Sequence, residues 1–129
     1  MTRYLLAYLA VGVALFALDM LWLRGIATPW YQQGIGHLMG AEANLYAAGV
    51  FYLLYPVGLM VFAVAPHSAA SWVASAAYGA AFGFFAYATY DLTNLATLKG
   101  WPLGLSLLDV AWGSLVSGVS AVAGRFALG

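Results

Sequence analysis

Cysteine is missing from this chain altogether. Disulfides, thiolate metal sites and a cysteine nucleophile go with it, while the redox compartment stays open. Charge is almost missing too. Four Lys/Arg and four Asp/Glu make up 6% of 129 residues and cancel to zero. Soluble domains carry about 25% charged residues, so a bilayer rather than water is the expected solvent. No basic footprint for nucleic acid exists. Catalytic motifs are equally scarce. There is no Gly-x-Ser-x-Gly and no Ser-His-Asp set that must converge, so no catalytic residue is assigned. Neither Glu-x-x-His nor His-x-x-x-His occurs, and His37 stands alone in a loop. Three inward carboxylates would suit a hard cation, but without such a pairing no metal site is assigned and the cofactor stays unknown.

What the chain has in quantity is apolar length. Four hydrophobic segments run from about Tyr4 to Leu23, Leu45 to Val64, Trp72 to Tyr90 and Leu103 to Val122. Each covers about 20 residues, which at about 1.5 Å rise per residue spans a hydrocarbon core of about 30 Å. The first segment follows Arg3 like a signal peptide, but no small-x-small cleavage site precedes Asp19, so it reads as a helix. The expected fold is all-α: residues 1–129 as a single integral-membrane, antiparallel four-helix bundle with both termini on one side. Arg3 and Arg125 on the terminal side balance Arg24 and Lys99 on the other, which silences the positive-inside rule. The amino terminus leans towards cytoplasmic termini. Residues 24–44, "RGIATPWYQQGIGHLMGAEAN", read as an amphipathic interfacial segment across the bundle mouth. Pro29 should break the first helix there, and Trp30 and Tyr31 belong at headgroup level. His67, in the opposite turn, reads as interfacial and without a role.

The polarity forms a layer. Asp19 near the end of the first segment, Asp91 and Asn94 at the end of the third, and Asp109 near the start of the fourth fall at similar depth. Tyr52, Tyr87, Tyr90, Trp22 and Trp112 join them on that side. Ser75, Gly79, Gly83, Tyr87 and Asp91 follow one another at i,i+4, as do Asp109, Gly113, Ser117 and Ala121. Small residues at this spacing mark the face where membrane helices touch, so the carboxylates should point into the bundle. "LDMLW" at 18–22 and "LDVAW" at 108–112 echo each other, and on antiparallel helices the copies could face across a rough two-fold. Within "YDLTNLATLKGWP", residues 90–102, Thr93 and Asn94 are expected to hydrogen-bond backbone groups freed at a helix end. Pro102 suits the first turn of the next helix, and Trp101 an anchor at the interface.

An aspartate at mid-leaflet costs about 2.5–3.5 kcal/mol on insertion scales. A bundle holding three needs either mutual hydrogen bonding, with Arg24 and Lys99 snorkelling back to pair, or a ligand. The expected site is therefore a polar, aromatic-lined cavity of Asp19, Trp22, Tyr52, Tyr87, Tyr90, Asp91, Asn94, Asp109 and Trp112. It opens toward the long first loop and binds a small amphipathic or lipid-like ligand. The alternatives are a small intramembrane lipid-modifying enzyme with an Asp as acid or base, and a non-catalytic accessory subunit of a membrane complex. Membrane lipids are the expected partners, with a homodimer or larger membrane complex left open.

"LDMLWLRGIATPWYQQGIGHL", "FYLLYPVGLMVF" and "YATYDLTNLATLKGWPLGLSLLDVAWG" together resemble the small bacterial membrane proteins grouped as domain of unknown function 2177. The likeness spans nearly the whole chain. It implies a multi-pass protein of the bacterial inner membrane and brings no established activity. Carried onto this chain, the family pattern marks Asp19, Trp22, Tyr31, His37, Tyr52, Tyr55, Tyr90, Asp91, Thr93, Asn94, Trp101, Pro102, Asp109 and Trp112.

Overall fold

A computed structural model describes residues 1–40, 42 and 44–129, and among them every regular element is helical. Helix α1 (Thr2–Met20) continues without a break into a π-helical stretch, Leu21–Ile26. Its widened turn is closed by the Ala27 N–H on the Trp22 carbonyl at 2.7 Å. Helix α2 (Thr28–Ile35) follows at once and ends in a 3-10 turn, Gly36–Leu38. Helix α3 (Leu45–Leu59) is capped by Asn44, whose Oδ1 accepts the Ala47 N–H at 3.1 Å. It contains Pro56, and beyond it the chain runs on as a π stretch, Met60–Val64, and a 3-10 turn, Ala65–His67. Helices α4 (Trp72–Thr97) and α5 (Leu103–Leu128) complete the chain.

Three of these rods, Thr2–Ile26, Leu45–His67 and Leu103–Leu128, are long and apolar enough among the described residues to cross a membrane. Helix α4 matches α5 in length but stands outside this set, its Gly, Ser, Tyr and Thr residues making it less apolar. The outward surface agrees with a lipid solvent. Val13, Leu53, Phe85 and Leu107 are each more than 60% exposed, one on each long rod.

Several boundaries differ from the sequence reading, the last helix among them, which runs to Leu128 rather than Val122. The third long helix does not stop near Tyr90 but runs two turns further. Thr89, Thr93 and Thr97 each donate a side-chain hydrogen bond to the carbonyl four residues back, at 2.6, 2.5 and 2.8 Å. Hydroxyls satisfied within the helix let it outlast its hydrophobic run. Pro29 does not simply end the first helix either. It sits in the first turn of α2, where its missing N–H costs nothing. Within the amphipathic segment 24–44, Thr28–Ile35 form a helix, while positions 41 and 43 lie outside the described residues. Pro102, expected in the first turn of the last helix, stands just ahead of it at the N-cap.

Helix α5 is the centre of the molecule, with ten buried residues against five on α4 and four on α1. It packs against both of those helices. Gly79 faces Ala121 and the Ser117 carbonyl, Gly83 lies on Gly113 and Ser117, and Gly113 lies under the Tyr87 ring. A Cβ at Gly79 would stand 2.6 Å from that of Ala121. Positions rising along α4 thus meet positions falling along α5, so the pair is antiparallel. The five-residue link between them turns on Gly100, whose φ of +73° suits a residue without a Cβ. Toward the chain termini Ala7, Val11, Leu59, Met60, Ala63, Val64, Ala121 and Leu128 form one apolar cluster, with Ser75 and Ser120 also buried at that end. The opposite end holds the three buried carboxyls.

Candidate functional site

Three aspartates enter the polar end from three helices: Asp19 from α1, Asp91 from α4 and Asp109 from α5. All are buried, at 5, 2 and 9% exposure. Asp19 is fully engaged. Its Oδ1 accepts the Trp112 indole N–H at 2.9 Å and its Oδ2 accepts the Tyr52 hydroxyl at 2.9 Å. Asp109 accepts the Tyr31 hydroxyl on Oδ1 at 2.6 Å. That same tyrosine oxygen accepts the Trp22 indole N–H at 3.4 Å. The Trp22 and Trp112 rings stack, with centroids 4.5 Å apart and planes 4° from parallel.

The Leu-Asp-x-x-Trp echo thus has a physical counterpart. The tryptophan of the second copy binds the aspartate of the first directly, and the tryptophan of the first reaches the aspartate of the second through Tyr31. The rings meet between them. Asp91 sits apart from this pattern. Its polar neighbours are Asp109 and Trp101, yet its Oδ2 and the Trp101 Nε1 are both buried without a hydrogen-bond partner. Below the layer, the Tyr55 hydroxyl and Ser117 Oγ are hydrogen-bonded at 2.7 Å, closing the floor towards the apolar cluster.

These residues surround a cavity of about 490 Å³. Asp19, Trp22, Tyr52, Tyr87, Tyr90, Asp91, Asp109 and Trp112 all line it. Asn94 is half-buried on the last turn of α4 and does not; its backbone carbonyl receives the Leu98 N–H at 2.8 Å. Thr93 bonds the Thr89 and Tyr90 carbonyls inside the helix rather than groups freed at its end. His37 lies on the 3-10 turn, outside the lining, and His67 stacks on Tyr78 at 4.1 Å on the far side.

Tyr31 and Trp101 correct the sequence reading. Both were placed at the membrane interface, and both turn inward to line the cavity. Trp101 meets Tyr90 edge-on, with centroids 5.7 Å apart. Tyr31 comes in because α2 docks on the start of α5, where a Cβ on Gly34 would stand 2.9 Å from Leu105 and 3.0 Å from Pro102. Tyr31 and Ile35 then lie over the cavity from the side of the first loop. Burial first, and then the hydrogen bond to Asp109, hold the Tyr31 phenol well above its ordinary range, so it enters the site as a proton donor. The signals for these residues were the amphipathic run of α2 and the family pattern, which marks both.

Among the described residues the hydrogen-bond donors to Asp19 and Asp109 are Tyr52, Trp112 and Tyr31, and neither Arg24 nor Lys99 joins them. Among the described residues no three His, Asp or Glu side chains gather into a group able to hold a metal ion. What the arrangement offers chemically is a low-dielectric chamber with carboxyl acceptors, phenol and indole donors, and broad aromatic walls.

An all-helical chain with three apolar rods and a greasy exterior defines the class: a membrane protein. Residues 4–126 match the family model described as "Predicted membrane protein (DUF2177)", and the chain belongs to that family. No curated protein and no solved structure matches the chain.

Proposed function

We propose that the four long helices form an antiparallel transmembrane bundle in a bacterial inner membrane, with cytoplasmic termini. We further propose that the cavity binds a small amphipathic or lipid-like ligand. The observation that carries this is the convergence of three buried aspartates from three helices on one aromatic-walled chamber of about 490 Å³. Small-molecule sites span about 300–1,000 Å³ and combine apolar walls with a few convergent polar groups. What sets this chamber apart from the larger, almost wholly apolar hollow of about 900 Å³ beside Ala76, Ala80 and Ser114 is its three carboxyls. The polar head would meet Asp91 and Asp109, and the tail would follow Leu23, Phe51 and Leu105.

The test is native mass spectrometry of protein extracted in a mild detergent. The expected result is a small amphipathic molecule retained by the wild-type chain and lost from Asp91→Asn. An unliganded mass from well-folded wild type, however gently extracted, would remove the reading.

A second reading, a lipid-modifying enzyme, is favoured by one observation. Asp91 lies beside Asp109, which is itself hydrogen-bonded to Tyr31. Neighbouring carboxyls that share a proton are suited to acid–base work. Turnover of a co-purified lipid, seen as a mass change on incubation, separates the enzyme from the binding protein. A co-purifying polypeptide would point instead to an accessory role.

A further inference from the structure

Three carboxyls face the cavity, and no Lys, Arg or His is among its lining residues. The four cationic side chains of the protein, Arg3, Arg24, Lys99 and Arg125, all lie elsewhere. The remaining polar lining is neutral. The carboxyls must therefore be neutralised by protons or by positive charge brought from outside, because an unpaired carboxylate away from water is strongly disfavoured.

The hydrogen-bond inventory locates where such charge would sit. Asp19 has both oxygens occupied by Trp112 and Tyr52. Asp91, 2% exposed, has its Oδ2 buried and without any partner, and it stands next to Asp109. The Trp101 indole N–H beside it can donate but brings no charge, so an ionised Asp91 still calls for a donor that carries positive charge. Aromatic faces supply the second half of such a site, since tryptophan and tyrosine rings attract cations through their quadrupoles. The stacked Trp22–Trp112 pair, Tyr87 and Tyr90 line the same chamber. An inorganic ion would fill only a small part of about 490 Å³, and most of the wall is hydrocarbon.

Resting on the ligand-cavity reading above, we infer that the occupant is a protonated amine with a hydrophobic tail. Its ammonium group donates to Asp91 and Asp109 within reach of the tryptophan and tyrosine faces, and its tail follows the leucine and phenylalanine side. An anionic head meets three carboxyls and no cation. An uncharged head leaves the Asp91–Asp109 pair to be neutralised by protons alone.

A matched series of octylamine, octanol and octanoate tests the assignment. All three carry the same tail, and at neutral pH their heads are positive, neutral and negative. The wild-type protein in maltoside micelles is titrated with each, following intrinsic tryptophan emission and the melting temperature. Octylamine should give a saturable change and raise the melting temperature. Octanol should bind at least about tenfold more weakly and octanoate not measurably. Asp91→Asn and Asp109→Asn should each weaken octylamine by about tenfold or more, while Glu42→Gln, which removes the acid outside the cavity, should not. Octanol binding as tightly as octylamine overturns the charge assignment and leaves an amphipathic pocket standing. Octanoate binding tightest, no saturable binding by octylamine, or octylamine binding that survives both substitutions also overturns it. Should either variant fail to fold, the head-group series on the wild-type chain decides alone. The pocket reading itself stands or falls on the co-purification experiment.

Discussion

Asp19 and Asp91 bring the same carboxyl to the same cavity, but their neighbours make different demands on it. Asp19 serves two donors, and the Trp112 indole can do nothing except donate. Asp19→Leu therefore strands a buried indole N–H and a buried phenol. Each stranded donor should cost about 1–3 kcal/mol, read as a lowered melting temperature in detergent. Asp19→Asn should be milder, because its amide oxygen can face Trp112 while Tyr52 rotates to accept from the NH₂. Asp91→Asn should melt within about 1 kcal/mol of wild type, since no partner of Oδ2 is lost. Asn94→Ala should stay within about 0.5 kcal/mol, its side chain standing outside the lining. A larger loss would mean that the Asn94 amide holds its neighbour Tyr90 in place. The sequence placed the aspartates well because depth and the i,i+4 rows of small residues both constrain a helix. It misplaced Asn94 because depth alone was used, and a residue at the right height can still fall on the last turn, past the chamber. It misplaced Trp101 and Tyr31 because an aromatic ring at a helix end has two stable homes. Only the packing of neighbouring helices decides between headgroup and interior.

At the scale of elements, the α4–α5 seam is set by missing side chains. Gly83→Ala would push a methyl group into the Gly113 carbonyl and Ser117, a contact that backbone cannot yield cheaply. The expected loss is about 1–3 kcal/mol. Gly49→Ala is the matched control. It lies within α3 with nothing inside 4 Å of a new Cβ, so it should be neutral or stabilising by up to about 1 kcal/mol. Melting both variants in the same detergent checks the pair, and equal losses would mean the seam is not the tight contact described. This seam was legible, since the glycines and serines repeat every four residues. The π stretches were not. A π turn inserts one residue without any signature of its own, and it shows only after a neighbour has fixed the register on both sides. Helix α2 was half legible: its amphipathic pattern was read, but Pro29 was taken as a stop when the same ring also suits a start.

The whole molecule has two storeys, a mainly apolar one near the termini and one at the far end that holds the carboxyls. Composition alone called for a helical membrane protein, and that much holds. The partners in the polar storey are far apart along the chain. Asp19 waits 33 residues for Tyr52 and 93 for Trp112, and Tyr31 waits 78 for Asp109. A chain truncated after Thr97 should therefore insert but fail to hold its polar storey. Faster degradation in cells and faster protease cleavage in membranes would be the readouts; full-length lifetimes for the truncated form would count against it. These separations also set a clock for biosynthesis. At about 5–20 residues per second, Trp112 leaves the ribosome roughly 5–20 s after Asp19. Throughout that interval the first helix carries an acid into lipid with its last partner unmade. The chamber is thus finished by α5, and a nascent chain has no such space to fill until Trp112 has been made.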